Sequence, residues 1–129
     1  MQATSTNAEA LQGLKVFVVE DESLVAMQLE DMLLDANCEV AGMAMRVNRA
    51  LEMLEDAPAV DVAILDVNIG GDKVYPVAER LRALRVPMIF ATGYGRAGVE
   101  PEWQESPILQ KPYTWAEVEA TLIAAIAHR

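Results

Sequence analysis

The run Leu14-Lys15-Val16-Phe17-Val18-Val19, followed at once by Glu20-Asp21-Glu22, is the junction whose reading decides the fold. It is short, β-prone and almost wholly apolar, and Gly13 and the three acids bound it. That is the pattern of a strand covered on both faces. Beyond the acids, Val25, Leu29, Met32, Leu33 and Ala36 recur at i, i+4, i+7, i+8 and i+11 and make one face of a helix. A buried strand running into an amphipathic helix is the opening of a βα unit.

The same alternation continues along the chain. Glu39 to Ala44 reads as a weaker strand, and Val47, Ala50, Leu51 and Leu54 give a second amphipathic stretch ended by Pro58. Val62 to Leu65 is an apolar strand closing on Asp66, and Asn68 to Asp72 (NIGGD) is expected to be a loop because of its paired glycines. Val74, Val77, Ala78 and Leu81 mark a third helix, with Pro76 acceptable in its first turn. Val86 to Ala91 and Pro107 to Gln110 are the fourth and fifth strands. Between them Gly93, Gly95, Gly98 and Pro101 leave only Glu102 to Ser106 free to wind, so the fourth helix should be short or irregular. Thr114 with Glu117 predicts a capping box for a last helix carrying Trp115, Val118, Leu122, Ala125 and Ile126. Five βα units with strands buried on both faces imply an α/β fold, a doubly wound five-stranded parallel sheet.

The chain has 129 residues, the size of one domain. Met1 to Gln12 is polar and alanine-rich, without a basic start or hydrophobic segment, and reads as a flexible leader to a folded domain over 13–129 rather than a secretory signal. A formal charge of −10 repels nucleic acid and anionic lipid, so neither is an expected partner. No stretch approaches the roughly 20 apolar residues of a membrane span. Cys38 is the single cysteine, which precludes an internal disulfide and points to a reducing cytoplasm.

Doubly wound sheets place their sites at the carboxyl ends of the strands. Here those ends carry Glu20 and Asp21 after the first strand, Asp66 after the third, Thr92 after the fourth and Lys111 after the fifth. Singly, each has a bland reading: a helix cap, a turn residue, a surface lysine. Together they gather three carboxylates that repel one another unless a cation neutralises them. Mg²⁺ suits such hard oxygen donors, with Asp21 and Asp66 as direct ligands, Glu20 acting through water and the Asn68 backbone carbonyl as a further oxygen. Asp66 can then act as a nucleophile toward phosphorus, while Lys111 and the Thr92 hydroxyl meet the oxygens of the transferred group.

This constellation resembles the receiver domain of two-component response regulators, from about Leu14 to His128. Val18 to Glu22 is similar to the family's acidic pair, Leu65 to Asn68 to its phosphoacceptor segment, Ala91 to Gly93 to its switch hydroxyl, and Lys111-Pro112 to its lysine motif. The resemblance implies a flavodoxin-like (βα)5 receiver fold and a regulatory phosphoacceptor, not an enzyme, which assists its own phosphorylation and dephosphorylation. It also implies a histidine kinase or phosphotransferase protein as donor, a downstream protein target, and a cis bond before Pro112. Phe90 to Tyr94 with Gln110 to Tyr113 resembles the FAT GUY subgroup of single-domain regulators in alphaproteobacteria, some of which act in the general stress response.

The chain departs from that pattern in several places. The position of the usual aromatic switch residue falls on Ile108, with Tyr94 as a candidate substitute, and the glycine common in the loop after Asp66 is replaced around Val74. The segment between Thr92 and Lys111 is also shorter and richer in glycine than usual. Two other functions share parts of this pattern. An aspartate-nucleophile phosphatase needs an acid two residues after the nucleophile, where this chain has Asn68. A flavodoxin-like binding module needs a glycine-rich phosphate loop after the first strand, which is absent. Trp103 and Trp115 read as packing residues, Trp103 facing outward near the output surface, and His128 as inert.

Overall fold

The computed structural model describes the backbone of residues 3–127 and the side chains of 7–127, so the position of His128 lies outside the described residues. Helix α1 (Ala3–Leu11) leads into β1 (Lys15–Val19), α2 (Ser23–Asp35), β2 (Glu39–Ala44), α3 (Val47–Leu54) and β3 (Val62–Asp66). A short ribbon of β4 (Asn68–Ile69) and β5 (Asp72–Lys73) follows, then α4 (Tyr75–Ala83), β6 (Met88–Thr92), β7 (Ile108–Gln110) and α5 (Trp115–Ile126). The five long strands form one parallel sheet in the order β2-β1-β3-β6-β7. This is the flavodoxin-like receiver fold expected from the sequence.

Alternation along the strands explains the two layers. Phe17 and Val19 of β1 join Ala63, Leu65 and Phe90 in a core closed by α3 and α4, whereas Val16 and Val18 join Ile64, Ile89 and Ala91 under α2 and α5. Every residue of β3 and β6 is buried, as a central parallel strand requires. The chain leaves β1 for β2 on one side and returns to β3 on the other. The crevice between the ends of β1 and β3 is therefore the topological switch point, where such folds bind ligands.

Several local expectations change. Residues 3–11, read as a flexible leader, are helical, because Leu11 supplies an apolar anchor that packs with Leu14, Leu122 and Ala125 and is 1% exposed. NIGGD is not a plain loop: Asn68 pairs with Lys73 and Ile69 with Asp72. Gly70 (φ +56°) and Gly71 (φ +90°) make the turn, which needs two left-handed residues. No α-helix forms between β6 and β7; two 3₁₀ turns, Gly95–Gly98 and Pro101–Trp103, fill the gap, one of them earlier than the Glu102–Ser106 stretch expected to wind. The capping box at Thr114 and Glu117 is formed on both sides, Glu117 N–H donating to Thr114 Oγ1 at 3.3 Å and Thr114 N–H to Glu117 Oε1 at 2.8 Å.

Candidate functional site

Parallel pairing carries the carboxyl ends of β1, β3, β6 and β7 to one edge, and the residues that follow them converge there. Glu20 is 2% exposed and Asp66 7%, whereas Asp21 is half-buried at the rim. One carboxylate oxygen from each of Glu20, Asp21 and Asp66 lies within 4.8 Å of the others. Lys111 reaches into this cluster, its Nζ 3.0 Å from Asp66 Oδ2, 3.0 Å from Glu20 Oε1 and 3.3 Å from Glu22 Oε1.

Backbone amides orient the acids. Glu22 N–H donates to Glu20 Oε2 at 3.1 Å and Asn68 N–H to Asp66 Oδ1 at 3.2 Å. The ribbon adds a contact that bridges two distant segments: Gly70 N–H donates to Asp21 Oδ2 at 2.9 Å. Lys73 Nζ donates to Asn68 Oδ1 at 2.6 Å across the same ribbon. Sequence reading missed Glu22, Gly70 and Lys73, since Glu22 looked like one member of a solvated run and the other two act only once the ribbon folds back.

Electrostatics follow the geometry. Burial raises the Glu20 carboxyl to about 7, and the neighbouring Asp66 charge adds to the rise against the Glu22 amide and Lys111, which oppose it. Burial alone would lower the Lys111 ammonium, but its hydrogen bonds to Asp66 and Glu20 and their charges outweigh this and hold it above the ordinary lysine range. Tyr113 is pushed up to about 12, first by burial and then by the Glu20 charge, so it adds no anion to the crevice. Three carboxylates packed this closely, with the Glu20 carboxyl raised above the ordinary range by burial and by the Asp66 charge, offer the oxygen donors that fit a hard divalent cation.

The open crevice has a volume of about 410 Å³ and is lined by Asp21, Glu22, Asp66, Asn68, Gly93 and Lys111. Thr92 is not among its lining residues. Its side chain is 2% exposed, and Oγ1 accepts a hydrogen bond from Tyr94 N–H at 3.1 Å. Tyr94 itself is 76% exposed, and Ile108, paired with Phe90 in the sheet, packs against the core. Trp103, read as outward-facing, is 4% exposed. It stacks on Tyr75 at 6.1 Å, meets Phe90 edge-on at 5.8 Å and is covered by the Arg82 guanidinium at 4.2 Å. The peptide bond between Lys111 and Pro112 is cis.

Comparison with known proteins agrees with this arrangement. Residues 16–121 match the response regulator receiver domain. The solution structure of SdrG from Sphingomonas melonis Fr1 is similar, with 42% identity, a TM-score of 0.78, and 88% of this chain and 96% of SdrG covered. The BeF3-activated conformation of SdrG, from Pseudomonas melonis Fr1, matches at 40% identity and a TM-score of 0.76, covering 89% of this chain and 98% of that one. The phyllosphere-induced regulator PhyR of Methylorubrum extorquens is 27% identical over 115 residues, which are 87% of this chain and 43% of PhyR, so the chain spans less than half of that relative. With its sheet order, its acidic crevice and these matches, the chain belongs to the response regulator receiver domain family.

Proposed function

We propose that Asp66 accepts a phosphoryl group from a phosphohistidine on a kinase or phosphotransferase protein. The observation that carries this reading is Lys111 Nζ at 3.0 Å from Asp66 Oδ2, inside an open crevice where three carboxylates meet. In the transfer, an Asp66 oxygen attacks phosphorus and a P–O bond forms. The P–N bond of the donor breaks, and the imidazole nitrogen keeps the electron pair and takes a proton from solvent. Lys111 offsets charge on the transferred group, which is the main demand of a loose phosphoryl transfer.

Asp21 and Asp66 would hold Mg²⁺ directly, with Glu20 through water and the Asn68 carbonyl as a further ligand. When bound, the ion supplies neutralisation of the crowded oxygens, so that donor phosphate and carboxylates can share one crevice. The chain's own residues set the stage: Gly70 N–H fixes Asp21, and Asn68 N–H fixes Asp66.

The output is contact with a downstream protein, governed by the segment 94–106. Phosphorylation adds roughly −1.5 to −2 charge units at Asp66, enough to bias a weakly built segment between two arrangements. The Phe90 to Tyr94 motif, through its resemblance to the FAT GUY regulators, supports a place in a cytoplasmic stress-response phosphorelay. Incubation of the protein with a phosphorylated histidine phosphotransferase and Mg²⁺ tests the chemistry. Acid-labile phosphate should pass to the wild type and not to Asp66→Asn; equal labelling of the variant would remove Asp66 as the acceptor.

A further inference from the structure

Thr92 is buried at the end of β6 and does not line the neighbouring crevice, and Gly98 lies directly against its hydroxyl. A methyl group placed on Gly98 would collide with Thr92 Oγ1 and press on Thr92 Cβ at 3.3 Å and on Tyr94 Cβ at 3.0 Å. Gly98 does not use the left-handed backbone region, so its conformation is open to any residue. Room for the Thr92 side chain, and not backbone geometry, is what glycine provides at this position. The niche is completed by Tyr94 N–H, which donates to Thr92 Oγ1 at 3.1 Å.

The 3₁₀ turn that carries Gly98 is fastened at its edges. Gln104 Nε2 donates to the carbonyls of Arg96 at 3.1 Å and Val99 at 2.8 Å, and Glu100 N–H donates to the Tyr75 hydroxyl at 2.9 Å. While these contacts hold the turn, the Thr92 hydroxyl and a side chain at position 98 compete for the same space.

We propose that Gly98 is a positioning residue that seats the Thr92 hydroxyl away from the Asp66 crevice until a phosphoryl group draws it in. The inference rests on the phosphoacceptor reading of Asp66 and adds the element that links Thr92 to the 95–98 turn in a chain with Ile108 at the aromatic position. When the hydroxyl leaves its niche, Tyr94 N–H loses its acceptor and the turn loses the side chain it is packed on. The turn is thereby coupled to the crevice through one rotamer. Filling the niche raises the energy of the resting arrangement, so part of the reorganisation needed for binding is removed.

The test is binding of beryllofluoride with Mg²⁺ to the full chain, followed by amide and methyl spectra. Gly98→Ala should bind about fivefold more tightly than wild type, the factor set by one ordinary hydrogen bond. In a Thr92→Ala background the same substitution should give no tightening. Equal or weaker binding by Gly98→Ala, or equal tightening without the hydroxyl, would overturn the proposal. A measurement on the wild type stands apart from the variant's folding: the Thr92 χ1 rotamer, read from three-bond couplings, should change on adding beryllofluoride, and an unchanged rotamer would contradict the seat. Failure of the wild type to bind beryllofluoride at all would instead overturn the phosphoacceptor reading, and the seat with it.

Discussion

The crevice corner and the segment from Gly93 to Ser106 sit side by side but are built differently. At the corner, Glu20 follows β1, Asp66 ends β3 and Lys111 follows β7, and the lysine holds both carboxylates through charged contacts of 3.0 Å. The segment has no strand or α-helix and is held by side chain to backbone hydrogen bonds and by one aromatic anchor, Trp103. Rigid strand ends fix the distances between the charged groups, whereas a segment with few interactions can change arrangement at small cost. In the proposed function, chemistry and reporting are divided between these neighbouring pieces of one edge.

Trp103→Ala should produce the largest effect. Removing a ring packed on Tyr75, Phe90 and Arg82 is expected to cost about 3 kcal/mol in urea denaturation, and Mg²⁺ affinity should stay within about twofold. A large loss of Mg²⁺ affinity would show that segment and corner are not separate. Lys111→Met attacks the other side. It leaves Glu20 and Asp66 without their counter-charge and should cost the metal-free protein about 2 kcal/mol, less than a fully buried pair because the ammonium is partly solvated. Saturating Mg²⁺ should recover most of that loss, and a deficit insensitive to Mg²⁺ would contradict the shared electrostatics of the corner.

The next expectation concerns pH. Glu20 titrates near 7 when folded against an ordinary value of 4.5. Below 4.5 both states hold the proton. Between 4.5 and 7 the unfolded chain releases it while the folded chain keeps it, so the metal-free protein should lose stability as pH rises through that window and level off above it. Denaturation series at several pH values should show a shallower fall for Glu20→Gln, and an identical slope would sever the effect from Glu20. The smallest change is Tyr75→Phe, which removes the acceptor of Glu100 N–H and should cost about 1 kcal/mol. It should broaden amide signals between 95 and 106 and leave those near Asp66 sharp.

The same division explains what could be read from sequence. Asp66, Glu20, Asp21 and Lys111 were legible because each ends or follows an apolar run, and a parallel sheet brings such ends together whatever the helices do. The capping box at Thr114 was legible because its partners lie three residues apart. Contacts that depend on tertiary return were not. Gly70 touches Asp21 across 49 positions, and the pairing of Asn68 with Lys73 was hidden behind two glycines that signalled only a turn. The burial of Trp103 depends on Tyr75 and Arg82 in a helix well before it in sequence, and Thr92 was placed at its strand end without any sign of the hydrogen bond its hydroxyl accepts from Tyr94 N–H. Leu11 shows the reverse case: one apolar residue in a polar leader was enough to dock a helix.

The central claim is that the phosphoryl group rests on Asp66 and not on the neighbouring acids. Borohydride reduction of the phosphorylated protein converts an aspartyl phosphate to homoserine, and peptide mass spectrometry then locates it. Homoserine at position 66 alone is the expected result. A reduced residue at Glu20, Asp21 or Glu22, or phosphate retained with no reduction at 66, would contradict the assignment.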